Sequence, residues 1–157
     1  MIPAFLLKGL RTRYAEPQRH YHDWLHIEVM LEHFRRWEDK FHRPEPVLWA
    51  LYWHDAIYDP LAKDNEEQSA QLLERETSGY LKPEDMAFAA TMIRATADHV
   101  VPSGLNVQDT ADLALFLDID LFILGGPQPV YDRYEAAIRA EYAFMPERPS
   151  GRPGLPS

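Results

Sequence analysis

Three short stretches of this chain carry residues whose types and spacing can do chemistry. In YHDWLH, His22 and His26 are four residues apart, which on a helix puts both imidazoles on one face, a turn from each other, able to face a common ion or substrate. Histidines at the edge of an apolar stripe also pack and hydrogen-bond without further purpose, so this pair alone decides nothing. In VLWALYWHDAIY, His54 and Asp55 interrupt the most apolar run of the sequence. An unpaired carboxylate there would cost several kcal/mol, on the order of the penalty for burying a charge, so something must compensate it. A divalent cation does so directly, with the neighbouring imidazole as a second ligand; a structural Arg or His partner is the alternative. In LFLDIDLFILG, Asp118 and Asp120 break a second hydrophobic segment. Two residues apart on a helix they point in different directions, and Asp120 shares the stripe of Leu113, Phe116, Leu117 and Leu124. Asp120 is therefore the one expected at a shared site, and Asp118 is left to orient a ligand histidine or bind an arginine.

These residues need helices to position them. From Arg19 to Trp37, Ile27, Met30, Leu31, Phe34 and Trp37 recur at helical spacing with Glu28, Glu32, Arg35 and Arg36 between them, an amphipathic helix. After Pro44 and Pro46 the His54 segment is apolar on nearly all sides until Pro60, which predicts a helix buried mid-domain. Asp64 with Glu67 has the form of a capping box opening a helix through Leu72 and Leu73, and Pro83 opens another running towards His99. A helix from Val107 is expected to stop at Gly125 and Gly126, and a last one covers about Val130 to Tyr142. No segment alternates as a strand would. The expectation is an all-α, compact single-domain helical bundle over residues 1–145, followed by a disordered tail, 146–157, of Pro, Gly, Ser and Arg.

Composition limits the chemistry. With no cysteine, any metal must be held by imidazole nitrogen and carboxylate oxygen, a shell that suits Mn, Fe, Co, Ni, Zn or Mg. A formal net charge of -9 argues against a nucleic acid polymer as partner, though one cation and a few arginines can still attract a small phosphate. No apolar run is long enough to span a bilayer, and MIPAFLLKGL lacks the features of an export signal, so the expected location is the cytoplasm, away from membranes. Nothing in the composition fixes an oligomeric state.

The order His, adjacent His-Asp, distant Asp resembles the signature of the HD superfamily of metal-dependent phosphohydrolases. YHDWLH also resembles the Tyr-His-Asn-x-x-His segment of cyclic nucleotide phosphodiesterases, and RHYHDWLH, HDAIYDP, DNEEQSA, ATADH and DLALFLDIDLFILG together are similar to a family of bacterial proteins described as predicted HD phosphohydrolases. The resemblance runs from about Tyr14 to Tyr142. It implies an HD-type helical domain that binds one divalent metal ion through His26, His54, Asp55 and Asp120, and hydrolyses a phosphoester of a small phosphorylated substrate. His22 would be the general acid, and Asp55 would also take a proton. The Ala-Asp-Arg element of guanosine polyphosphate hydrolases aligns its Asp with Asp120, although Ile119 and Leu121 replace the flanking residues. His99 and Glu66, within the shared ATADH and DNEEQSA elements, are further candidates, with Arg19, Lys63 and Arg94 as candidate phosphate-binding cations; a second metal at His99 is one form this takes. Family members continue with helical sequence where this chain runs into ERPSGRPGLPS, as a truncated or shifted end would. Two other functions fit the same residues. One is a non-catalytic metal-binding or ligand-sensing domain, and the other an iron oxygenase with a bridged metal pair.

Overall fold

The computed structural model describes residues 1–20 and 22–122. Within them the chain forms six α-helices and one short 3-10 turn, and no strand. They are α1 Ala4–Tyr14, α2 Trp24–Trp37, the turn Glu38–Lys40, α3 Pro44–Trp53, α4 Asn65–Thr77, α5 Pro83–Ala95 and α6 Val107–Asp120. The all-α expectation holds. The helix expected at Val130 to Tyr142, the stop at Gly125 and Gly126, and the tail at 146–157 lie outside the described residues.

Helix α3 is the hub. It packs against α5, α2, α4 and α6, while α4 lies along α5. Its sequence is apolar almost all round, and Val47, Trp49, Ala50, Leu51 and Trp53 are buried with 0–1% exposure. The Trp49 and Trp53 rings stack at 5.4 Å. On α5 the small Ala89 and Ala90, both buried, allow close approach of neighbouring helices, with Phe88, Met92 and Ile93 filling the space around them. No helix among the described residues is long and apolar enough to cross a membrane.

The start of α3 shows how sequence fixes an end. Pro44 and Pro46 have no N–H, so two of the donors that a helix leaves unpaired in its first turn never exist. The two amides just before them, of His42 and Arg43, donate to Asp112 Oδ1 and Oδ2 of α6, each at 2.8 Å. Arg43 then reaches Asp109 of α6 and Asp85 of α5. Asp112 is 1% exposed, so truncating it strands both amides beside a buried cavity. Asp112→Ala is expected to lower the free energy of unfolding by about 2 kcal/mol, and Asp112→Asn by about half as much because one acceptor remains. Urea unfolding measures both; an Asp112→Ala loss under about 0.5 kcal/mol would mean the amides are solvated instead.

Three local expectations are corrected. Helix α2 does not begin at Arg19: Asp23 caps it, its carboxylate accepting from His26 N at 3.3 Å, so His22 precedes the helix rather than sharing a face with His26. Asp64 makes no side-chain cap at α4, and Glu67 turns outward to Arg94, so the capping box is not formed. Helix α3 stops at Trp53, so His54 and Asp55 lie in the turn after it rather than inside a helix running to Pro60. Helix α1 carries no chemistry-bearing motif and has no counterpart in the sequence reading.

Candidate metal centre

The ends of four helical segments meet at one place. The first turn of α2 supplies His26, the turn leaving α3 supplies His54 and Asp55, the last residue of α6 is Asp120, and the chain leaving α5 brings His99. His26, His54 and Asp120 form a buried or half-buried group whose donor atoms all lie within 4.8 Å of one another, and this group could hold a metal ion. Asp120 is the centre of the cluster. Its Oδ1 is 3.0 Å from His26 Nε2 and 3.3 Å from His54 Nε2, while its Oδ2 is 2.7 Å from His99 Nε2. Asp55 Oδ2 lies 3.0 Å from His54 Nε2 and 3.8 Å from His26 Nε2.

His54 carries the most telling constraint. Its Nδ1 is 2.7 Å from the Leu51 carbonyl, which can only accept, so Nδ1 bears the proton. In the neutral ring Nε2 is therefore a bare lone pair. That atom is buried and makes no hydrogen bond of good geometry, yet two carboxylates face it. A lone pair aimed at two anions is repulsive unless a positive charge lies between them, either a proton or a metal cation. The carbonyl that sets the tautomer also does what ligand histidines need from their second nitrogen. The donor set, imidazole nitrogens and carboxylate oxygens without thiolate, suits the borderline divalent metals.

The electrostatics agree with a site built for positive charge. Burial works against a charged His54 imidazole, but Asp55 and Asp120 outweigh it and hold its pKa well above the ordinary value. Burial likewise opposes ionisation of Asp120, and His54, His26 and His99 overcome that and keep its carboxyl well below the usual range. Asp55 is lowered in the same way, burial being outweighed by His54 and His22. Glu66, at the start of α4, is raised, first by burial and then by the Asp55 charge, which places its carboxyl within the field of the same cluster.

Of the other residues singled out by sequence, His22 is buried and stacks on Tyr58 with ring centroids 4.3 Å apart. Asp118 is exposed, on the opposite side of α6 from Asp120, so it neither orients a histidine of the cluster nor needs a partner. Lys63 is exposed in the loop before α4. Arg94 grips Glu67 and Glu74, tying α5 to α4 on the surface. Arg19 is sealed inside the protein rather than offered to a ligand. Its Nε donates to Glu16, Nη1 to the carbonyls of His22 and Asp55 at 2.8 and 2.7 Å, and Nη2 to that of Ala56 at 2.8 Å. The guanidinium also lies over the Tyr14 and Tyr58 rings.

Sequence reasoning missed Tyr14. Its buried hydroxyl donates to the Tyr52 carbonyl at 2.8 Å and accepts from Asp55 N at 3.2 Å, so α1 pins the turn that carries His54 and Asp55. A lone tyrosine on an amphipathic helix gives no signal of this. No protein family, functionally characterised protein or solved structure matches the chain, so the likeness to HD proteins rests on its motifs.

Proposed function

We propose that the protein is a metal-dependent phosphohydrolase of the HD kind, acting on a small phosphorylated substrate with one divalent cation held by His26, His54, Asp55 and Asp120. The observation that carries this reading is the buried His54 lone pair directed at two carboxylates where helix ends meet. A divalent cation bound there supplies charge that stabilises developing negative charge on a phosphoryl group and makes a water molecule acidic enough to attack near neutral pH.

The chain's own residues do the rest. Asp55, ionised and close to His54, accepts the proton released by the attacking water. His22, held flat against Tyr58 in the segment before α2, delivers a proton to the departing oxygen. Its ring is oriented by packing and its backbone by Arg19, so the acid is placed before substrate arrives.

The test combines metal content with turnover. Wild type and His54→Ala are dialysed against Mn, Co, Ni, Zn, Fe and Mg salts, analysed for bound metal, and assayed on a panel of nucleotides, cyclic nucleotides and other phosphoesters. Metal retained by wild type, lost by His54→Ala, with phosphate released only by the loaded wild type, is the expected result. Folded wild type that holds no metal defeats the proposal. Wild type that holds metal and cleaves nothing makes the site a metal-binding or sensing module.

A further inference from the structure

His99 occupies a backbone conformation that its residue type rarely takes. Its φ is +56°, the only positive value among the described non-glycine residues. The residue sits just after α5, where Thr96, Ala97 and Asp98 prolong the helical winding and His99 N donates to the Ala95 carbonyl at 2.8 Å. A left-handed residue closing a helix in this way is ordinarily glycine, sometimes asparagine, because a larger side chain crowds its own carbonyl. A histidine there calls for a use of the side chain. Asp98 steadies the turn by accepting from Val100 N, which leaves the His99 ring free of any part in holding the backbone.

The ring is a tenth exposed and points into the cluster. Its Nε2 meets Asp120 Oδ2 at 2.7 Å, whereas its Nδ1 is buried with no hydrogen-bond partner. The carboxylate is thus what fixes this imidazole. In return the imidazole occupies the oxygen of Asp120 that faces away from His26 and His54. A carboxylate at the end of a helix can swing about its last torsion, and a donor on one oxygen settles where the other points.

We propose that His99 is a positioning residue: by holding Asp120 Oδ2 from behind, it presents Oδ1 to the centre shared with His26 and His54. This rests on the metal site of the proposed function, in which His99 itself is not a ligand. The left-handed backbone is the means by which the chain after α5 reaches back far enough to do so.

The variants are His99→Asn and His99→Gly, which accept a positive φ and leave nothing at the place of Nε2, and His99→Gln, whose longer side chain brings an N–H donor to that place. Thermal unfolding of the metal-free proteins, titration with Mn and Co ions, and the visible spectrum of the Co-loaded forms are measured together. The expected result is that Asn and Gly variants unfold close to wild type yet bind metal about 10–100-fold more weakly, with an altered Co spectrum, and that Gln recovers part of the affinity. Unchanged affinity and spectrum in the folded Asn and Gly variants would overturn the proposal. So would a wild type that takes up two ions where the variants take up one, which would make His99 a ligand of a second metal. Wild type that binds neither ion, nor any of the Ni, Zn, Fe and Mg salts used to test the proposed function, brings down that function, and this inference with it, a result distinct from either of the others.

Discussion

Asp120→Asn is expected to empty the site of metal and to lower kcat/KM for phosphoester hydrolysis at least about a thousandfold, while the protein stays folded. The substitution keeps shape and removes charge. Asp120 is approached by three imidazoles, two on Oδ1 and one on Oδ2, and an amide brings no negative charge to any of them. Whichever way it is flipped, an amide is a weak metal ligand beside a carboxylate, and no anion remains between His26 and His54. A thousandfold corresponds to about 4 kcal/mol, within the several kcal/mol that a catalytic cation contributes to a transition state. Elemental analysis after dialysis and steady-state kinetics check both halves. Asp118→Asn is the control, two residues away on the exposed side of α6, and should leave both quantities as in wild type. If Asp120→Asn keeps metal affinity within tenfold, Asp120 is not the centre of the site.

The second large effect belongs to a residue with no role in chemistry. Arg19→Met is expected to destabilise the protein by about 3–5 kcal/mol, since hydrogen bonds to a charged group contribute roughly 1.5–3 kcal/mol each, sum only in part, and leave three buried carbonyls unpaired when lost. For a chain of this size that is a fall in Tm of roughly 10 °C. The guanidinium joins the His22 carbonyl to the carbonyls of Asp55 and Ala56, adjacent residues in the turn after α3, by a planar fork. Lysine cannot copy that geometry, so Arg19→Lys should recover little of the loss. Glu16 is 41% exposed on its side chain, and Glu16→Gln should change stability by less than about 0.5 kcal/mol. Calorimetric unfolding of the three variants gives the answer; an Arg19→Lys protein within about 1 kcal/mol of wild type would show that charge rather than the fork holds the two segments.

The sequence made the fold class legible because its helices are strongly patterned, and α3 in particular could hardly be anything but a buried helix. It made Asp120 preferable to Asp118 for the same reason: two positions along a helix are about 200° apart, and only one of them follows the apolar stripe. Where the reading failed, short polar residues had two local uses. Asp23 in YHDWLH serves as a helix cap, which removes His22 from the helix, and Asp64 looks like a cap and is not one. Long-range ties were invisible. Nothing near Tyr14, Arg19 or Asp112 in the chain announces that their partners lie 38, 36 or 70 residues away. His99 was named only through the shared ATADH element, and its left-handed backbone at the exit of α5 is visible only in the structure.

Asp112 and Asp120 stand at two levels of the same helix, and α3 answers them at two levels of its own, at His42 and Arg43 and again at His54. The two helices therefore run side by side in the same sense, like the rails of a short ladder with a rung near each end. A pair of rails with one rung can scissor. With two it can only shear, and the Pro44 turn at one end and the Tyr14 and Arg19 braces at the other resist that as well. The spacing of the chain ends that carry His54 and Asp120 is thus a property of the frame, and only the aim of the carboxylate across it is left to His99.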